Sequence, residues 1–144
     1  MTAVDWPSVL AVAEENARAT GVTDRFHTLP GSVFDVPFAG PYDRILVPNL
    51  LHHFDIPACE RLLAKVRAAL APGGHVVIVE FVPDDDRLGP PDAVRFSLVM
   101  LAGTPAGDAY TFAEYRTMLE HAGFHNPTLH DLPPTPMRVV IAER

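Results

Sequence analysis

Residues 42–83 constrain the fold more than any other part of the chain. Ile45-Leu46-Val47 reads as an apolar strand that runs into a loop with adjacent histidines, Asn49-Leu50-Leu51-His52-His53-Phe54-Asp55. Leu62, Leu63, Val66 and Leu70 then recur at helical spacing. A turn at Pro72-Gly73-Gly74 leads to a second apolar strand over 75–82, with a single charge, Glu80, near its end. Strand, loop, helix, turn and strand make a βαβ unit, and in such sheets ligands gather outside the carboxyl ends of the strands. His52 and Glu80 both fall at those ends, so the chemistry is expected there. The near-continuous apolar run over 75–82 also predicts a parallel sheet covered by helices on both faces.

The rest of the chain extends this pattern. Residues 2–5 read as the end of a buried strand, closing at Asp5. Pro7 and Ser8 open a helix, since proline suits a first turn where its missing N–H removes nothing. Val9, Val12, Ala13 and Ala17 form its apolar stripe, and Gly21 stops it. A short strand over 25–29 precedes the turn Pro30-Gly31-Ser32. Asp55 caps the helix after the two histidines, with Pro57 in its first turn. Asp84-Asp85-Asp86 is a solvated loop. A helix starts at Pro90-Pro91-Asp92 with Phe96, Val99, Met100 and Gly103 on one side. Thr111 and Glu114 have capping-box spacing for a helix that ends at Gly123. Two strands, near 128–132 and 138–142, join across Pro133-Pro134-Thr135-Pro136 as a hairpin. The order β-α-β-β-α-β-α-α-β-β predicts a single α/β domain over 1–144, its sheet mostly parallel with an antiparallel hairpin at the C-terminus.

Composition narrows the function. A chain of 144 residues that is 48% apolar and 20% charged suits one globular domain. Its formal net charge of -7, with 11 scattered basic residues, argues against nucleic acid as the main partner. No window approaches the roughly 18 apolar residues of a membrane span. The single cysteine, Cys59, rules out an internal disulfide and fits a reducing cytoplasm.

Five motifs in register carry a resemblance: Asp5-Trp6-Pro7, Gly31-Ser32-Val33-Phe34, Leu51-His52-His53-Phe54, Ala71-Pro72-Gly73-Gly74 and the Glu80 strand. In this order they resemble class I S-adenosylmethionine-dependent methyltransferases, and more narrowly small-molecule O-methyltransferases of the caffeate and acetylserotonin type. Thr111-Phe112-Ala113-Glu114-Tyr115 and Ala122-Gly123-Phe124 are similar to that family's last helix and its exit. The resemblance implies a Rossmann-like methyltransferase sheet whose first strand and glycine-rich, cofactor-gripping turn are missing from this chain. An N-terminal truncation is therefore expected, with weak or absent cofactor binding by this chain alone. The gap would be closed by pairing the flanking strands or by a homodimer, or would leave a marginally stable fold.

The resemblance also assigns roles. Asp5 would accept hydrogen bonds from the ribose hydroxyls of S-adenosylmethionine, the alternative being an N-cap for the helix at Pro7. Trp6 would pack on the adenine or lie in the core. Ser32 stands where an acid usually contacts the adenine amino group, and Val33 and Phe34 would flank the ring. Asn49 joins these cofactor contacts. His52 matches the catalytic base, because an imidazole of pKa near ~6.5 accepts a proton at neutral pH; it could instead hydrogen-bond a loop. Glu80 matches the carboxylate that orients this histidine, with an arginine ion pair as the alternative. His53 is expected to point elsewhere, and adjacent histidines lack the spacing of metal ligands on a helix. Phe96, Met100 and Tyr110 are candidate acceptor contacts, or simply core. Two family residues are replaced here, an acid by Ala109 and a lysine by Pro48.

The expected activity is methyl transfer from S-adenosylmethionine to a hydroxyl of a small aromatic or polyketide-like molecule, without a metal. A non-catalytic, oligomerising remnant is the first rival. A nicotinamide enzyme is the second, and the chain lacks the Gly-x-Gly-x-x-Gly it would need.

Overall fold

The computed structural model describes all 144 residues, in two compact units, Met1–Phe38 and Ala39–Arg144. The elements follow the expected order.

In the first unit, β1 (Thr2–Asp5), α1 (Pro7–Ala19) and β2 (His27–Pro30) form a βαβ element, with one 3-10 turn over Thr23–Arg25. β1 and β2 pair in parallel, Thr2 with His27 through Asp5 with Pro30. Pro7 opens α1 as expected, and the cap residue is Trp6, without a side-chain cap. The helix ends as the glycine predicts. Gly21 takes φ +70°, its N–H donates to Arg18, and the Val22 N–H donates to Ala17. That crossed pair satisfies the last carbonyls of the helix. The inward stripe is Leu10, Ala13 and Ala17, whereas Val9 and Val12 of the expected stripe are exposed.

The second unit holds β3 (Tyr42–Pro48), α2 (Ile56–Ala69), β4 (Leu70–Glu80), α3 (Pro91–Gly103), α4 (Phe112–His121), β5 (His125–Asp131) and β6 (Arg138–Glu143). The four strands lie in the order β3-β4-β6-β5. β3 and β4 are parallel, and β6 is antiparallel to both β4 and β5. The sheet is thus mixed, with the C-terminal hairpin as predicted.

The Pro72-Gly73-Gly74 turn lies inside β4. Tyr42 pairs with Leu70 and Arg44 with His75, so Asp43 alone faces the four residues Ala71 to Gly74. The segment is a bulge, and Gly73 supplies its φ of +73°, a region that costs glycine little. Beyond the bulge the strand alternates. Val76, Ile78 and Glu80 are fully buried, as are Val140 and Ala142 of β6 beside them. α2 and α4 pack on this sheet with Leu62, Leu63, Val66, Tyr115, Met118 and Leu119. Each of the leucine, valine and methionine side chains contributes roughly 1.5–3 kcal/mol by leaving water. The opposite row, Val77, Val79, Val139 and Ile141, is half-buried, and Leu46 is 62% exposed. Burial on both faces, expected from the apolar run, holds for one face only. The apolar composition of β4 reports both rows, but α2 and α4 cover just one.

The helix ends follow their capping residues. Asp55 accepts from the Ala58 N–H, 2.9 Å away, at the start of α2. Thr111 and Glu114 form both halves of a capping box on α4. At the far end of α4, Arg67 of α2 donates to the Gly123 carbonyl at 2.7 Å, tying the two helices together.

Candidate active site

The carboxyl ends of β3 and β4 meet around Glu80, the last residue of β4. After β3, Asn49 takes φ +47°, a left-handed conformation that asparagine tolerates better than most residues. This turns the chain so that the next two backbone N–H groups face Glu80. Its Oε1 accepts from Leu50 at 2.8 Å and from Leu51 at 3.0 Å. A tight turn over Leu51–His53 then brings His52 back, and its Nδ1 lies 2.6 Å from Glu80 Oε2. Glu80 is 1% exposed and His52 5%. A buried carboxylate without partners is costly; this one has three. No arginine pairs with it: Arg138, opposite Glu80 in the sheet, reaches instead to Asp84, Asp131 and the Val82 carbonyl.

The carboxylate fixes the tautomer of His52. It only accepts, so Nδ1 carries the proton and Nε2 keeps its lone pair. That nitrogen meets His53, whose Nε2 is 3.1 Å away. The expectation that His53 points elsewhere is corrected. It assumed helix or strand geometry, where neighbouring side chains diverge, but the compact turn at Leu51–His53 folds the two rings to a centroid distance of 4.2 Å. His53 is solvent-exposed. Partial desolvation first, and then repulsion from His52 when that ring is protonated, lower its pKa, with Glu80 opposing.

Phe96 of α3 closes another side, its ring edge-on to His52 at 4.8 Å and stacked on Phe81 at 4.4 Å. Of the other acceptor-contact candidates, Met100 is buried in α3, and the buried Tyr110 hydroxyl donates to the Phe54 carbonyl at 2.5 Å. Cys59 supports the turn from α2, its thiol donating to the Leu51 carbonyl at 3.2 Å. Burial, followed by the charge of Asp55, pushes that thiol up to about 12, so it is no nucleophile. A depression of about 620 Å³ is walled by Ile56, Leu98, Leu101, Asp108 and Tyr110 among others, and neither His52 nor Phe96 lines it.

Sequence reasoning missed the scaffold behind this turn. Gly107 packs so closely that a Cβ there would collide with the His52 carbonyl oxygen. Arg87 bridges Asp108 at 2.9 Å and Glu114 at 2.8 Å, while the Ser97 hydroxyl donates to Asp108. The acid nearest to Ala109 is therefore already engaged. Nothing in the spacing of these residues marks them in advance.

In the first unit the other candidates gather at the carboxyl ends of β1 and β2. The Gly31 N–H donates to the Asp5 carbonyl, which fixes the turn after β2 against the end of β1. Asp5 Oδ1 accepts from the Trp6 N–H at 2.7 Å, so its carboxylate does not cap α1, and its second oxygen is left to accept from a ligand. Trp6 is 60% exposed and not a core residue. Ser32 Oγ accepts from the Phe34 N–H at 3.2 Å, and Ser32, Val33 and Phe34 are half-buried along one turn. A spare carboxylate oxygen beside exposed aromatic surface fits a nucleoside, which offers hydroxyl donors and a flat ring.

No helix is long and apolar enough to cross a membrane. The chain is 41% identical over 122 residues to a 3-hydroxy-5-methyl-1-naphthoate 3-O-methyltransferase of Streptomyces sahachiroi, an alignment covering 85% of this chain and 35% of that protein. It superposes on a crystal structure from Nostoc punctiforme described as an O-methyltransferase, with TM-score 0.97 and 55% identity over 99% of this chain and 44% of that one. Human N-acetylserotonin methyltransferase in complex with S-adenosylmethionine gives a TM-score of 0.85 at 25% identity, over 99% of this chain and 40% of that one. The chain thus spans less than half the length of each. Residues 1–125 match the O-methyltransferase domain family, and the chain belongs to that family.

Proposed function

We propose that this chain carries the proton-transfer centre and the nucleoside contacts of an S-adenosylmethionine-dependent O-methyltransferase acting on a hydroxyl of a small aromatic or polyketide-like molecule, in the cytoplasm. The buried bond between His52 Nδ1 and Glu80 Oε2, at 2.6 Å and braced by two backbone N–H groups, carries this reading. When bound, S-adenosylmethionine supplies an electrophilic methyl group, so the protein's remaining task is to remove the acceptor's proton. An imidazole with Nδ1 held by a carboxylate presents a basic Nε2 and is stabilised once it gains a proton. Asp5 accepts from the ribose hydroxyls. Trp6, Ser32, Val33 and Phe34 hold the adenine, and Asn49 joins the cofactor contacts. Phe96 offers its ring to a flat acceptor, and Met100 and Tyr110 are the further acceptor contacts. The acceptor class rests on relatives that methylate aromatic hydroxyls.

Methyl transfer to a hydroxynaphthoate, read as formation of S-adenosylhomocysteine, tests the reading. His52→Gln is expected to lower the rate by roughly 100-fold or more, the usual contribution of a positioned base. Full activity in that variant would reject His52 as the base.

A further inference from the structure

We propose that His53, not His52, meets the acceptor's hydroxyl and relays its proton inward to His52. The inference rests on the proposed methyl transfer with His52 and Glu80 as its proton sink, and adds the residue that touches the acceptor.

The geometry leads there in three steps. Glu80 holds the proton of neutral His52 on Nδ1, so His52 Nε2 bears a lone pair. The nitrogen 3.1 Å from it is His53 Nε2, which must therefore donate. The basic nitrogen of His52 is thus already occupied, within a site enclosed by Glu80, His53 and the Phe96 edge and only 5% exposed. His53, in contrast, is exposed, and its Nδ1 has no partner within the chain. With Nε2 protonated, that Nδ1 carries the outward-facing lone pair. A hydroxyl approaching the pair meets His53 first.

The transfer balances. The acceptor O–H bond breaks and its proton joins His53 Nδ1, while the proton on His53 Nε2 moves to His52 Nε2. The freed oxygen electron pair forms the C–O bond with the donor's methyl carbon, and the electrons of the broken S–C bond stay on sulfur. His52 ends as the imidazolium beside Glu80. The reverse relay returns the proton through His53 to water. The lowered pKa of His53 agrees with this, because a relay must be neutral at rest.

Nitrogen-15 NMR of the histidine-labelled protein at neutral pH tests the resting state without any turnover. His52 is expected to be protonated on Nδ1 and His53 on Nε2, with a measurable coupling between the two Nε2 nuclei. Protonation of His53 on Nδ1 would overturn the relay. In the hydroxynaphthoate assay, His53→Gln is expected to lose about 100-fold in kcat. The proton inventory in mixed H2O and D2O should change from two protons in flight to one. If His53→Gln or His53→Ala keeps the wild-type rate while His52→Gln is inactive, the relay fails and the His52 base stands. If His52→Gln is fully active too, the failure lies in the proposed base.

Discussion

The two units each collect polar groups where parallel strands end, and they do so in opposite ways. At the ends of β1 and β2 the carboxylate of Asp5 is half-buried, uses one oxygen on its own neighbour and keeps the other open, beside an exposed indole. At the ends of β3 and β4 the carboxylate of Glu80 is buried and takes three hydrogen bonds, all from within the fold. An open acceptor can trade water for a ligand at little cost to folding, whereas a saturated one can only orient what it already holds. The first arrangement suits binding and the second suits chemistry.

Glu80→Gln is the most direct way to break this contrast. An amide that keeps its oxygen on the two backbone donors turns its NH2 toward His52, so the imidazole must shift its proton to Nε2 and the charge-assisted bond at Nδ1 is lost. The expected cost is about 1–3 kcal/mol in urea unfolding, with a fall in kcat of roughly 100-fold or more. Unchanged stability would mean that Glu80 does not anchor the turn over Leu51–His53. Asp5→Asn should show the opposite profile. Folding should change by less than about 0.5 kcal/mol, while the weak affinity expected for S-adenosylmethionine, measured by calorimetry at high ligand concentration, falls about 10-fold with the loss of a charged acceptor. A destabilised Asp5→Asn with unchanged affinity would make Asp5 a structural residue.

The smallest effect concerns pH. The folded pKa of His53 is lowered, by desolvation and then by His52, so the unfolded chain binds this proton more readily. Its contribution to stability is present above the ordinary histidine value of about 6.5 and is lost as pH falls through the lower, folded value. Urea midpoints measured at pH values on either side of that range should decline toward acid, and His53→Gln should flatten the decline. An identical slope in the variant would show that other groups carry it.

Much of the architecture was legible because its signals are local. Gly21 at a helix exit, Asp55 before Ile56-Pro57 and the pair Thr111 and Glu114 each satisfy backbone groups within a few residues of themselves. Their function as stops and caps does not depend on what packs nearby. The βαβ unit brings His52 and Glu80, 28 apart in sequence, to the same edge, and the family resemblance implied that they pair. Pro72-Gly73-Gly74 reads as a turn in any sequence, yet the register of Tyr42 with Leu70 draws it into a strand. The one-sided burial of β4 was equally hidden, since apolar composition records what a strand tolerates rather than which helices arrive.

The sequence alone determined the succession of strands and helices, their caps, and the strand ends at which Asp5, His52 and Glu80 fall, all through interactions spanning a few residues or one crossover. Only the tertiary structure decided that His53 turns onto His52, that Gly107 backs the same turn, and that Arg87 pairs with Asp108. Those contacts depend on angstrom-scale geometry, set by one tight turn for the two histidines and by residues of separate segments for the others, which spacing along a chain does not encode.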